Sequence, residues 1–315
     1  MSDIENHIPG PPSRLTLKQL RIFEAAARHQ HFGRAAAALH LTQPAVSIQL
    51  KQLENEMGVP LFEQMGRRMY LTAAGLELLG HTQAVFARLR EAEEALRLYR
   101  GDEGGELHIA STTTAEYFVP RLLAEFRRGR PGLKIRLTVR NRESVVRELA
   151  ENAIDLAMMG RAPENLDTIA VPFAKHPFVI IAAADHPLAG RRKLRLSQLK
   201  TEPFLIRERD SGTRHAMGRH FSARRFHPAE TIEIGSNETI KQAVMAGMGV
   251  SFLSTHTIAL ELASGRLAVL DVAGMPVVRN WCVIHRAQKR LSPAAAAFKA
   301  YLLADGAASI ERALK

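Results

Sequence analysis

A single cysteine, Cys282, in 315 residues excludes an intrachain disulfide framework and fits a reducing compartment. No apolar run approaches the roughly 18 residues that a membrane span needs. The longest relevant stretch, Phe178 to Ala184, is strand-sized. The opening residues, MSDIENHIPGPPSR, carry no apolar segment of the kind that directs secretion. From these absences a cytoplasmic chain without a membrane partner is expected. Catalytic signatures are missing too: there is no Walker loop, no HExxH helix and no cysteine pair for zinc. Gly247-Met248-Gly249 lacks the third glycine and the acidic residue of a dinucleotide site, and reads as helix-end packing. The pairs His29 and His31, and His215 and His220, have no carboxylate or thiol at ligand spacing. No catalytic residue, no metal and no cofactor is expected, and Cys282 reads as a small buried residue in a strand.

What is present is an ordinary globular composition, 46% hydrophobic and 24% charged, over a length that suits two or three domains. The formal net charge of +11 favours polyanionic or phosphorylated partners. Residues 1–100 hold 12 basic and 10 acidic residues, whereas 101–315 hold 31 and 22, so the second half is basic in its own right. Within 14–72 the balance is 8 to 4.

Residues 1–14, rich in proline, read as a disordered arm. Thr16 and Gln19 form a capping box, with Leu15 and Leu20 placed as a hydrophobic staple. Leu17, Leu20, Phe23 (or Ile22) and Ala27 give the following helix its core face. A short second helix covers about Gly33 to Leu39, with Gly33 as its cap. The third runs from Thr42, a capping residue, to Met57, with Pro44 tolerated in its first turn. Its apolar face is Val46, Leu50, Leu53 and Met57. The other face offers Gln43, Ser47, Gln49, Lys51 and Gln52: amides and hydroxyls suit base edges in a major groove, and Lys51 suits a phosphate. Taken alone, this is the pattern of any amphipathic surface helix. Its neighbours make it the recognition helix of a helix-turn-helix. After Gly58-Val59-Pro60, the run LFEQMGRRMYLT reads as two short strands, a wing whose tip carries Arg67 and Arg68 toward phosphate or minor groove.

The run LKQLRIFEAAARHQHFGRAAAALHLTQPAVSIQLKQLENEMGVPLFEQMGRRMYLTAAG resembles the N-terminal domain of LysR-type transcriptional regulators. The QPAVS, LFEQMGRR and LTAAG segments sit in that family's order and spacing. The resemblance implies a winged helix-turn-helix, a dimer-linking helix, a two-lobed periplasmic-binding-protein-like effector domain, and a tetramer on double-stranded DNA. By motif position, Gln43, Pro44 and Ser47 match the family's DNA-contacting residues, and Arg67 its wing arginine. Gly33 stands where the family often has serine or threonine. Ile48 stands where many members are polar or basic, and suits a thymine methyl.

From Thr72 to Arg100 a 3-4 apolar repeat that includes Leu78, Val85, Leu89 and Leu96 predicts a helix with a coiled-coil dimer seam; an amphipathic helix packed on its own domain has the same pattern. Gly101-Asp102-Glu103-Gly104-Gly105 reads as a linker. From Leu107 short β runs alternate with helices, which argues for parallel α/β sheets. The fold class is α/β with an all-α N-terminal part. Expected boundaries are 1–14 (arm), 15–72 (winged helix-turn-helix), 73–101 (dimerisation helix) and 105–315 (effector domain). The effector domain divides into lobe I, about 105–174 and 276–304, and lobe II, about 175–275, with crossovers near Val171–Pro177 and Asp271–Arg279.

Ligands of such lobes bind at the carboxyl ends of strands, where helix N-termini present free N–H groups. Three turns have that chemistry: Ser111, Thr112 and Thr113; Ser211, Gly212, Thr213 and Arg214; Asn237, Glu238 and Thr239. Asn141 and Arg142 add a fourth wall. Plain helix capping accounts for each turn equally well. The crowding of Arg207, Arg209, Arg214, Arg219, Arg224 and Arg225 tilts the balance toward a phosphorylated or multiply anionic ligand.

VRNRESVVRELAENAIDLAMMGR, RERDSGTR, SNETIKQAVMAGMGVSFLSTHT, GRLAVLDV and HRAQKRLSP resemble the CbbR-type branch of the LysR family, regulators of Calvin-cycle carbon-fixation operons. That implies a bacterial, nucleoid-associated activator answering to a phosphorylated metabolite, acting as a homodimer or homotetramer with RNA polymerase as a further partner. The alternative is a LysR-type regulator of another pathway with an unphosphorylated organic-acid effector. A solute-binding protein shares the two-lobed domain but has a signal peptide and no DNA-binding head.

Overall fold

A computed structural model describes residues 15–65, 68–99 and 105–313, and its chain divides into two compact units between Arg90 and Glu91. The expected arm at 1–14, the linker at 101–104 and Arg67 lie outside the described residues. The dividing line falls inside the long helix rather than ahead of it.

In the first unit, α1 (Leu17–His29) starts at the capping box: Thr16 Oγ1 accepts from Gln19 N at 3.2 Å, and Gln19 Oε1 accepts from Thr16 N at 2.9 Å. It buries Leu20, Ile22, Phe23 and Ala26. Leu17 stays half exposed, so the core face begins one turn later than its apolar spacing predicts. The cap of α2 (Phe32–Ala38) is His31 rather than Gly33: its Nδ1 accepts from the N–H groups of Gly33 at 3.1 Å and Arg34 at 3.4 Å. An imidazole lone pair serves where a hydroxyl is usual. Helix α3 (Gln43–Met57) is capped by Thr42, buries Val46, Leu50 and Leu53, and stops at Gly58, whose φ of 71° is left-handed. Glu54 Oε1 accepts from the backbone N–H of Leu61 at 2.8 Å and Phe62 at 3.2 Å, so α3 itself fixes where the wing begins. The wing is an antiparallel pair, β1 (Phe62–Met65) and β2 (Arg68–Leu71). Phe62 meets Phe23 and Phe32 edge-on inside the helical core.

Helix α4 (Ala73–Tyr99) follows. Its Gly75 lies against Leu61, the residue leading into the wing's first strand: a Cβ there would sit 2.1 Å from the Leu61 carbonyl oxygen. Leu78 packs inward on the three-helix core and Thr82 is buried, whereas Leu76, Val85, Leu89 and Leu96 are exposed.

The second unit holds β3 (Glu106–Thr112), α5 (Val119–Arg127), β4 (Lys134–Arg140), α6 (Arg142–Ala150), β5 (Leu156–Met159) and β6 (Thr168–Ala183). Then come β7 (Phe204–Ile206), α7 (Gly212–Ser222), β8 (Thr231–Glu233), α8 (Asn237–Met245), β9 (Val250–Ser254), α9 (Ala259–Ala263), β10 (Leu267–Val269), β11 (Val277–Arg286) and α10 (Pro293–Ala313). The sheet is mixed rather than parallel. β3 pairs in parallel with β4 and β5, and β7 with β8 and β9, but β6 and β11 run antiparallel to their neighbours.

The expected crossovers are not breaks. Thr168–Ala183 is one strand, continuous through Pro172 and Pro177, and β11 starts at Val277; together they join both lobes into one nine-stranded sheet. Each lobe has its own core. Leu107, Phe118, Phe126, Trp281 and Phe298 fill one, and Phe178, Phe204, Phe221 and Phe252 the other. Alternation along β6 sends Ile180 and Ile181 to separate clusters on opposite faces of the sheet.

α5 and α10 are tied by Glu125, which accepts from the Ser309 hydroxyl at 2.6 Å, from Arg312 at 3.0 Å and from the Tyr301 hydroxyl at 3.1 Å. Chiefly through Ser309, and against desolvation, these donors hold its carboxyl down at about 2. The folded value is depressed, so this stabilisation is complete above the ordinary value of 4.5 and is lost as pH falls toward 2. Glu125→Gln is expected to flatten the acid limb of the melting-temperature profile in that window; an unchanged limb would show that the tie contributes nothing.

Candidate functional site

On the first unit, the face of α3 turned from its core presents Gln43, Pro44, Ile48 and Lys51 exposed, with Ser47 half-buried between them. Ile48 is 57% exposed, which no packing within the unit explains. Gln49 donates to Gln52 at 2.9 Å, so these two amides are pre-aligned along the same helix. Arg68 begins β2, opposite Met65; its side chain, like all of Arg67, lies outside the described residues.

On the second unit, a cleft of about 430 Å³ is lined from both lobes. Thr112, Thr113, Asn141 and Arg142 reach it from β3 and α6, and Arg207, Ser211, Gly212 and Thr213 from β7 and α7. Two helix starts meet there. Asn141 Oδ1 caps α6 by accepting from Ser144 N at 3.0 Å, and Ser211 Oγ caps α7 by accepting from Thr213 N at 3.2 Å. The remaining N–H groups of each first turn, with the helix dipole, favour an anion.

The other candidates do not line the cleft. Strand alternation turns the Ser111 hydroxyl into the interior, where it has no partner among the described residues. Arg214 also points away from the cleft, one guanidinium nitrogen buried and unpartnered. The third turn is held by its neighbours: Ser236 caps α8 through Thr239 N, Asn237 accepts from Arg207, and Glu238 accepts from the Tyr117 hydroxyl and pairs with Lys241. Lys241, buried, also pairs with Glu261 at 2.9 Å.

The arginines divide into two kinds. Arg207 is buried and balanced, its guanidinium donating to both oxygens of Glu208 at 2.7 and 2.9 Å. Arg142 donates only to neutral groups: the carbonyls of Arg161 at 2.7 Å and Ala162 at 3.2 Å, and the Met159 sulfur. Desolvation, then Arg161 and Arg219, push the Arg142 guanidinium below its usual value; desolvation and Arg161 do the same to Arg219. Three cations thus crowd one wall; Glu164 pairs with Arg161, and Glu143, Glu208 and Asp210 also line the cleft. Such a wall favours an anion electrostatically.

Arg209, Arg224 and Arg225, counted toward the cleft from their place in the chain, do not line it, whereas Arg161, Arg219 and Arg279 do. Arg161 follows the end of β5, so the strand-end rule reaches it too. His176 and Phe178 also line the cleft and lie in mid-strand, where a reading that breaks β6 at Pro177 finds no site. No His, Cys, Asp or Glu cluster among the described residues could hold a metal, and no described helix is long and apolar enough to cross a membrane.

Residues 17–76 match the family described as bacterial regulatory helix-turn-helix protein, lysR family, and residues 100–307 match the LysR substrate binding domain. The chain is 49% identical to the HTH-type transcriptional regulator CfxR of Cupriavidus necator, over 92% of its own length and 91% of that protein's. It is 47% identical to a RuBisCO operon transcriptional regulator of Allochromatium vinosum, over 93% and 97% of the two chains. Among solved structures, the regulatory domain of Synechocystis PCC6803 CcmR in complex with 2-PG is similar at 41% identity and a TM-score of 0.60. That likeness covers 64% of this chain and 96% of that one.

Proposed function

The chain belongs to the LysR family of bacterial transcriptional regulators, and from that premise we propose that it activates a carbon-fixation (RuBisCO, Calvin-cycle) operon in response to a phosphorylated metabolite. It is a DNA-binding regulator and not an enzyme. The observation that carries the effector class is the wall of Arg142, Arg161 and Arg219, three guanidinium groups crowded together in a cleft where Glu164 is paired with Arg161 and Glu208 with Arg207. Likeness to RuBisCO-operon regulators over more than nine-tenths of the chain supports the target. In this reading two copies join through the exposed apolar face of α4, and dimers pair into a tetramer in the bacterial cytoplasm, at the nucleoid. Gln43, Pro44, Ser47, Ile48 and Lys51 enter the major groove of each half-site of a dyad, and Arg67 and Arg68 reach beside it. The ligand enters the cleft between the lobes. Contact with RNA polymerase follows from the altered geometry on DNA.

Ser47→Ala is expected to weaken binding to a dyad operator by about 1–3 kcal/mol and to relax sequence preference. Lys51→Ala is expected to weaken binding to all sequences and to lower the salt dependence by about one counterion. Titrations at several salt concentrations separate the two, and unchanged binding in both variants removes α3 as the reading helix. The function itself is tested by footprinting upstream of carbon-fixation genes with and without 2-PG. A footprint that ignores 2-PG and other phosphorylated compounds leaves a LysR regulator with a different effector.

A further inference from the structure

His176 is 4% exposed and lines the cleft, yet neither of its ring nitrogens has a hydrogen-bond partner among the described residues. The other buried histidines differ. His256 Nδ1 accepts from Trp281 Nε1 at 2.9 Å, His285 Nδ1 faces the Arg286 carbonyl with Nε2 beside Lys299, and His220 Nδ1 meets Arg224. An imidazole kept only for packing could be a phenyl ring without loss, because a buried unpaired polar group destabilises a fold. Two features of the surroundings point to a ligand. The ring lies flat on Trp281, centroids 3.9 Å apart and planes 15° apart, so it is held still with both nitrogens enclosed and unpartnered. Beside the ring is Gly160, where a Cβ would stand 3.3 Å from His176 Nδ1. Gly160 has no left-handed backbone to explain it, so its lack of a side chain acts on space: a methyl there would crowd that nitrogen on the side of the cleft wall. Burial, and after it His256, push the His176 ring well below its usual value, leaving one N–H donor and one lone pair.

We propose that His176 reads the effector directly: the nitrogen enclosed beside Gly160 becomes exposed as the ligand enters and donates a hydrogen bond to one of its phosphate or carboxylate oxygens. This rests on the reading of the cleft as the site of an anionic effector. The arginine wall supplies attraction at long range. His176 supplies direction, since a ring fixed on Trp281 donates only to an oxygen lying in its own plane. Trp281, the single tryptophan of the chain, then reports occupancy, being stacked on the reader and bonded to His256.

The test uses the full chain, 2-PG and inorganic phosphate as probes, calorimetry for affinity and Trp281 emission as the local readout. Wild type is expected to bind 2-PG with a saturable change in emission. His176→Phe keeps the stack and removes both nitrogens: its Kd for 2-PG rises about tenfold or more, while its melting temperature without ligand stays level or rises. His176→Gln restores part of the affinity, and Gly160→Ala weakens binding with His176 intact. Arg219→Ala tests the anion reading separately. If Arg219→Ala weakens binding and His176→Phe does not, the anionic cleft stands and His176 is not its reader. Binding without any change in Trp281 emission likewise places the ligand away from the ring. If neither probe binds wild type, the anionic reading falls and this inference falls with it.

Discussion

Gly75→Ala is expected to destabilise the N-terminal unit by about 3 kcal/mol and to lower operator affinity at least about a hundredfold. Inside a helix this exchange ordinarily stabilises by about 1 kcal/mol, because alanine loses less conformational freedom. Here the added methyl would stand 2.1 Å from the Leu61 carbonyl oxygen and 2.9 Å from Leu71 Cδ2. That carbonyl accepts from Thr72 N at 3.0 Å, and Thr72 in turn caps the helix through Gly75 N at 3.0 Å and donates to the Pro60 carbonyl at 2.8 Å. Making room therefore breaks the hydrogen bonds that hold the base of the wing against α4. Overpacking costs about 1–3 kcal/mol, and each buried group left unpaired adds about 1–3 kcal/mol more, so the clash outweighs the propensity gain. Gly80→Ala, on the same helix with nothing within 4 Å of the added carbon, is the control and should stabilise slightly. Thermal melting of both variants with operator titrations checks this; a Gly75→Ala protein as stable as Gly80→Ala would show that the wing yields freely. This glycine is the last residue of the LTAAG segment, and the contact supplies a physical reason for it.

The second large effect is expected from Arg142→Glu, which should reduce affinity for a phosphorylated ligand more than about a hundredfold and leave operator binding without ligand intact. The arginine holds the chain after β5 by donating to the carbonyls of Arg161 and Ala162, and it stands among cations. The reversal removes a charge-assisted hydrogen bond, worth about 1.5–3 kcal/mol, and places a carboxylate where an anion should sit. It also relieves the mutual repulsion of Arg142, Arg161 and Arg219, but it strips the Arg161 and Ala162 carbonyls of their donor, so the unliganded protein should melt somewhat lower than wild type. Calorimetry with 2-PG and a footprint with and without it check both halves. Wild-type ligand affinity in this variant would remove the wall from the site.

The N-terminal unit was legible because its signals are local. Thr16 with Gln19, Thr42 with Ala45, and Gly58 with its left-handed turn each act within one turn of helix, which is the range over which sequence pattern and structure are the same information. His31 escaped because an imidazole is an uncommon cap. In the effector unit the element types were readable, but the sheet was not. Pro172 and Pro177 signal breaks, yet both lie inside β6, opposite Cys282 and Val278 of the long partner strand. The same limit applies to the cleft. Arg207 and Arg142 look alike in the chain, and only tertiary neighbours make one an ion balanced by Glu208 and the other a cation held by neutral groups among the described residues. Asn237 and Glu238 sit at a helix start like Ser211 and Gly212, but Arg207, Tyr117 and Lys241 occupy their polar groups.

The β6–β11 ladder has a mechanical consequence. Its antiparallel register runs from Val277 opposite Phe178 to Arg286 opposite Thr168, with one irregularity between Trp281 and Cys282. Sliding one strand along the other would break the rungs together and, at a one-residue slip, turn every side chain to the wrong face. Rotation about the long axis of the ribbon breaks none of them, and two-stranded ribbons twist readily. The pair is therefore stiff in shear and soft in torsion, with its softest point at the irregularity beneath His176. On the proposed reading, a ligand drawn between the lobes winds this ribbon more readily than it slides it, so the expected signal is a change of angle rather than of distance.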